Sequence, residues 1–109
     1  MYKNIFDTHA HYEDEQFDCD RDELLSSFPE NGISGVVTCG TDIITSEKSI
    51  ALAEKYPFIY AAVGFHALNL DSLTADWCGD IKKLAARKKV VAIGEIGLDY
   101  HYERDSREK

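Results

Sequence analysis

Four short apolar-led runs, at residues 5–9, 34–40, 58–65 and 90–94, alternate with segments that carry their apolar residues at helical spacing. This alternation constrains the fold more than any other feature. Strands that are apolar almost throughout, rather than at every second position, belong to a parallel sheet covered on one or both faces. The first helical segment spans 18–28, with Leu24, Leu25 and Phe28 on one side and Pro29 with Gly32 as its stop. The second spans about 45–55, buries Ile50, Leu52 and Ala53, and ends at Pro57. The third spans 76–88, with Ile81, Leu84 and Ala85 as its inner stripe. Phe28 and Trp77 are expected in the core. The expected order is β-α-β-α-β-α-β with right-handed crossovers, an α/β fold of parallel strands.

Polar chemistry falls at the carboxyl ends of all four runs. The first closes on His9-Ala10-His11, and side chains one residue apart on an extended strand point the same way. Two imidazoles on one side of a strand end can grip a divalent ion such as Zn, Mn or Mg. The same pair also arises as two histidines adjacent by chance. Gly40-Thr41-Asp42 follows the second run, Gly64-Phe65-His66 closes the third, and Gly94-Glu95-Ile96-Gly97-Leu98-Asp99-Tyr100 follows the fourth. Parallel strands share one carboxyl face, so these residues converge, and that convergence is the pattern of an active site.

Taken singly, each residue has a second reading. Glu95, between apolar residues and glycine, can bridge two metals, act as general base or acid, or serve in a loop salt bridge. His66 can meet a phosphate oxygen, ligate a metal, or sit satisfied in the core. Asp7 and Asp99 can orient a histidine from behind the ligand shell, or cap a turn. Tyr12, Tyr100 and His101 can line the rim of the pocket, though such residues are more often packing.

Charge narrows the partners. The chain of 109 residues has a net charge of −8, and its densest basic cluster is Arg87-Lys88-Lys89. A broad basic face for nucleic acid is therefore excluded, and a phosphate substrate requires bound cations to offset the repulsion. The acidic run Glu13-Asp14-Glu15 reads as a solvated loop. Cys19, Cys39 and Cys78 are odd in number and far apart, so they read as reduced cytosolic thiols buried as small apolar residues. No membrane span and no secretory leader is expected, which gives a cytoplasmic protein.

Phe6-Asp7-Thr8-His9-Ala10-His11, Val63-Gly64-Phe65-His66 and Ile93-Gly94-Glu95-Ile96-Gly97-Leu98-Asp99-Tyr100 resemble, in order and spacing, the TatD family of metal-dependent hydrolases. Arg21-Asp22-Glu23-Leu24-Leu25 and Gly40-Thr41-Asp42 fit the same pattern, so the resemblance covers essentially the whole chain. It implies a TIM (β/α)8 barrel of the amidohydrolase superfamily. One or two divalent cations (Mg, Mn or Zn) would serve the hydrolysis of phosphodiester bonds in DNA, several members being 3′-to-5′ exonucleases. By the resemblance His9 and His11 bind the first metal, Glu95 bridges both and acts as the catalytic carboxylate, and His66 meets the substrate phosphate.

Two departures accompany it. The family commonly has Pro and a second His where this chain has Ala67-Leu68. A (β/α)8 barrel takes roughly 250 residues, so residues 1–109 are expected to be an incomplete single domain, the N-terminal half of a barrel. The missing C-terminal half or a second copy is then needed to cover the open sheet, and the fragment alone is expected to be inactive. Two other functions fit the same residues: an amidohydrolase-type enzyme acting on a cyclic amide or lactone, and a non-catalytic half-barrel module for metal binding or interaction. A flavodoxin-like sheet with helices on both faces is the competing fold.

Overall fold

A computed structural model of the chain describes residues 2–97; Asp99, Tyr100 and His101 lie outside the described residues. Its elements are β1 (Ile5–Ala10), α1 (Arg21–Ser26), β2 (Ile33–Cys39), α2 (Ile43–Lys55), β3 (Ile59–Val63), α3 (Trp77–Ala85) and β4 (Val90–Ile93). Short 3-10 turns lie at Glu15–Phe17, Pro29–Asn31 and Ala67–Ser72.

The four strands form one sheet in the order β1-β2-β3-β4, with every pairing parallel. When successive crossovers share one hand and the strand order never reverses, every helix falls on the same face. The core has that form. Leu25 and Phe28, Ile50 and Ala53 pack in one cluster with Val36, Ile59, Ala61 and Val63, and Ile81, Leu84 and Ala85 of α3 close its margin. Fully buried side chains such as Leu25 and Ile59 each contribute about 1.5–3 kcal/mol by leaving water. A sheet with helices on both faces does not fit this arrangement. On the opposite face Phe6 is half-exposed and stacks on Tyr60, with ring centroids 6.3 Å apart. The edge strands also leave Ile5, Val91 and Ile93 substantially exposed. Among the described residues, one covered face, one bare face and two edges without a partner strand are the arrangement of part of a (β/α)8 barrel. No helix among the described residues is long and apolar enough to cross a membrane.

Element ends differ from the sequence expectation for local reasons. Residues 18–20 precede α1 rather than belong to it, because the Arg21 guanidinium draws this segment into a turn. Its Nη2 donates to Asp18 Oδ1 at 2.6 Å and to the Asp14 carbonyl at 2.8 Å. Helix α2 begins two residues early. The Asp42 carboxylate accepts from the Thr45 N–H while the Thr45 hydroxyl accepts from the Asp42 N–H, a reciprocal capping box. After Phe28 the chain continues as the Pro29–Asn31 turn and is released at Gly32, whose φ of +87° suits glycine.

Three burial expectations are corrected. Trp77 opens α3 at the rim of an apolar cleft, and its side chain is half-exposed rather than in the core. Cys19, in the turn before α1, and Cys78, in the first turn of α3, are exposed; only Cys39 is buried. Leu52 is partly buried at the edge of the cluster.

Candidate metal centre

The carboxyl ends of the strands stay tied together beyond their formal limits. The Glu95 N–H donates to the Gly40 carbonyl at 2.9 Å, the Gly94 N–H to Val63 at 2.9 Å, and the His66 N–H to Thr41 at 2.9 Å. Gly64 permits this closure: a Cβ there would lie 2.4 Å from the Glu95 carbonyl oxygen, closer than real contacts allow. Its own N–H is met by the hydroxyl of buried Ser46 at 3.2 Å.

On this platform His9, His11 and Glu95 converge. One ligand atom from each lies within 4.8 Å of the others, the one such group among the described residues. The two Nε2 atoms are 3.2 Å apart, His11 Nε2 is 3.2 Å from Glu95 Oε2, and His9 Nε2 is 3.5 Å from Glu95 Oε1. A tetrahedral ion with ligand bonds of ~2.0–2.2 Å holds neighbouring ligand atoms about 3.3 Å apart. The spacing between the two Nε2 atoms and that from His11 Nε2 to Glu95 Oε2 match that edge, and one atom from each of the three residues lies within 4.8 Å of the others, so the donor set fits a divalent cation.

The tautomers agree with it. His11 Nδ1 lies 2.8 Å from the Cys39 carbonyl, which can only accept, so that nitrogen carries the proton and Nε2 turns a lone pair to the site. His9 Nδ1 lies 3.8 Å from Cys39 Sγ. Cys39 is buried, and burial raises its thiol above the ordinary range, which keeps the sulfur protonated and neutral. The T-shaped arrangement of the two rings, with planes at 82°, brings both Nε2 atoms to one point.

His66 is arranged in the opposite sense. Its Nδ1 accepts the Leu68 N–H at 3.0 Å, capping the Ala67–Ser72 turn, so the proton resides on Nε2. That N–H lies 3.9 Å from Glu95 Oε1 and offers a donor rather than a metal ligand.

The remaining sequence candidates divide. Asp7 accepts the backbone N–H of His9 at 3.0 Å and so steadies the strand end, not an imidazole. Asp42 is spent on capping α2. Tyr12 packs against Phe17 and Phe28 with centroids 5.2 and 5.3 Å away. Glu13 corrects the expectation of a solvated acidic run: it is 5 % exposed, accepts the Thr38 hydroxyl at 2.9 Å, and approaches His11 Nδ1 at 3.3 Å. Burial raises its pKa, against the opposing pull of its backbone N–H, Thr38 and His11. No strand period marks Glu13, which lies in the turn closed by the Asp14 N–H on the His11 carbonyl, and neighbouring Asp14 and Glu15 made the run look solvated. Around the centre, Thr41, Thr45, Lys48 and Asn69 line an open cleft of about 530 Å³ together with His11, Glu13, His66 and Glu95.

Comparison with known proteins places the chain in a family. Residues 6–109 match the family described as TatD related DNase. The chain is 39 % identical over 104 residues to the uncharacterized metal-dependent hydrolase YabD of Bacillus subtilis, covering 95 % of this chain and 41 % of that protein. It is 33 % identical over 98 residues to the 3′-5′ ssDNA/RNA exonuclease TatD of Pantoea ananatis, covering 89 % of this chain and 38 % of that one. The crystal structure of YjjV, a TatD homologue from Escherichia coli, superposes with a TM-score of 0.79 at 30 % identity, over 93 % of this chain and 40 % of that one. A TatD family hydrolase from Entamoeba histolytica gives a TM-score of 0.79 at 25 % identity, over 92 % and 39 %. The chain thus spans about two-fifths of the length of the relatives it matches. With its strand order, its motifs and its matched length in agreement, the chain belongs to the family of TatD related DNases.

Proposed function

We propose that this chain is part of a metal-dependent hydrolase that cleaves phosphodiester bonds in DNA as a 3′-to-5′ exonuclease. The observation that carries the reading is the convergence of His9, His11 and Glu95 within 4.8 Å at the carboxyl edge of a parallel sheet. The names of its relatives support a nucleic-acid substrate. In this reading residues 1–109 are the first half of a barrel, whose remaining strands cover the bare face and bring further ligands. Three free cysteines suit a reducing cytoplasm.

His9, His11 and Glu95 would hold the ion, and Glu95, with each oxygen facing a different histidine, can bridge to a second. A bound divalent cation supplies Lewis-acid polarisation of a phosphoryl oxygen and lowers the pKa of water. His66 would give its Nε2–H to a non-bridging phosphate oxygen, as its fixed tautomer requires. Lys48 lends a positive charge to the cleft in a chain of net charge −8.

The test uses the full-length protein with Mn²⁺, Mg²⁺ or Zn²⁺, on bis-p-nitrophenyl phosphate and on end-labelled single- and double-stranded DNA. Expected are metal-dependent cleavage, loss from the 3′ end, and a fall in kcat of at least about 10²-fold in Glu95→Gln. No divalent-cation binding, or full nuclease activity in Glu95→Gln, overturns the reading. Turnover of a cyclic amide or lactone without diester cleavage moves the enzyme to another bond. A stoichiometric protein complex without any turnover makes it an interaction module.

A further inference from the structure

We propose that Glu13 is a positioning residue of the metal centre: anchored by Thr38, its carboxylate shares the His11 Nδ1–H with the Cys39 carbonyl and fixes the His11 ring for ligation. The inference rests on the metal-centre reading above.

A carboxylate with 5 % exposure is costly unless its oxygens are paired. Each Glu13 side-chain oxygen has a polar neighbour on another residue. The Thr38 hydroxyl donates to Oε2 at 2.9 Å, and His11 Nδ1 lies 3.3 Å from Oε1. Thr38 is itself fully buried on β2, so the anchor does not move with the surface. The loop that carries Glu13 is pinned as well. Arg21 donates to the Tyr12 carbonyl at 2.7 Å, to Glu13 at 3.3 Å and to Asp14 at 2.8 Å.

With Cys39 O at 2.8 Å, the His11 Nδ1–H meets two acceptors, a backbone carbonyl and a side-chain carboxyl oxygen. A cation on Nε2 withdraws electron density through the ring and strengthens that N–H as a donor. A carboxylate behind the ring in turn makes Nε2 a better ligand. Outer partners of this type typically change metal affinity 10–100-fold. Glu13 therefore acts through His11, without touching the ion or the substrate.

The experiment measures Zn²⁺ binding to the full-length protein at neutral pH by calorimetry, and the visible absorption of the Co²⁺ form, with the metals alone as probes. In Glu13→Gln, which keeps the shape and removes the charge, Zn²⁺ should bind roughly 10–100-fold more weakly and the Co²⁺ bands should shift. Thr38→Val should change both in the same direction by less. His9→Ala checks the underlying reading: if it binds Zn²⁺ like the wild type, or if the wild type binds none, the metal centre itself fails. If His9→Ala loses Zn²⁺ while Glu13→Gln and Thr38→Val keep the wild-type Kd and Co²⁺ spectrum, the positioning role alone is overturned. A lowered Tm with unchanged Kd overturns it too, since it marks Glu13 as structural only. Should Glu13→Gln not fold, Thr38→Val decides by the same criterion.

Discussion

The end of β1 and the end of β3 both present histidine to one cleft, yet they prepare it for opposite ligands. At the β1 end, His11 gives its Nδ1 proton to the Cys39 carbonyl and faces the site with a lone pair. At the β3 end, His66 uses Nδ1 to accept the Leu68 N–H and faces Glu95 with a proton. Residue type is the same in both places; the partner of the hidden nitrogen differs. A carbonyl behind the ring makes an acceptor suited to a cation, and an N–H behind it makes a donor suited to an anion. The backbone at the two ends thus sets the chemistry that the side chains show the cleft.

The largest effect that tests this contrast is His11→Ala. It removes a ligand atom rather than an outer partner, so Zn²⁺ affinity in the full-length protein should fall by more than the ~10–100-fold of an outer-partner loss. Calorimetry reads it directly, and a wild-type affinity in the variant would make the β1 histidines bystanders. His66→Ala should behave in the opposite way. Zn²⁺ affinity should stay at the wild-type value, while kcat/KM on bis-p-nitrophenyl phosphate falls about 10²-fold, the size of one lost donor to developing charge. If His66→Ala weakens the metal instead, its Nε2 serves as a ligand and the two ends are not opposites.

Much of this contrast was legible in the chain, and the unread part has a physical cause. Alternating apolar runs and helical spacing predict the four strands and three helices, since both periods are set by backbone geometry. The strand period also places His9 and His11 on one side, but strand order leaves β4 at the opposite edge from β1, and Glu95 reaches them because the chain beyond β4 crosses Gly64 to bond the Gly40 carbonyl. The role of His66 could not be read, because it depends on the Leu68 N–H, a backbone group whose direction is set by the Ala67–Ser72 turn. Glu13 was hidden by its acidic neighbours, and Asp42 looked like site chemistry although it closes a capping box. Uniformly apolar strands do not tell which face the helices cover. Val91 and Ile93 lie half-exposed on an edge strand.

The smallest effect belongs to a residue remote from both ends, which makes it the control for the contrast. Asp22 of α1 accepts from Lys55 Nζ at 2.6 Å and from the Tyr56 hydroxyl at 2.5 Å, tying α1 to the end of α2. The hydrogen bond from Lys55, then that from Tyr56, holds the Asp22 carboxyl below its usual value of 3.8. A carboxylate with a lowered folded-state pKa stabilises the fold above its unfolded-state value. That contribution disappears as the pH falls through the folded-state value. Asp22→Asn should therefore lower Tm slightly at neutral pH, with the gap to the wild type closing as the pH drops below 3.8. The pair is solvent-exposed, so added salt should shrink the gap as well. Thermal unfolding across pH measures the first part, and Zn²⁺ calorimetry on the same variant measures the second. A gap that persists in acid would assign the loss to packing rather than to the ionised pair. A changed Zn²⁺ affinity would mean that the helix layer, and not only the backbone at the strand ends, sets what the two histidine sites present.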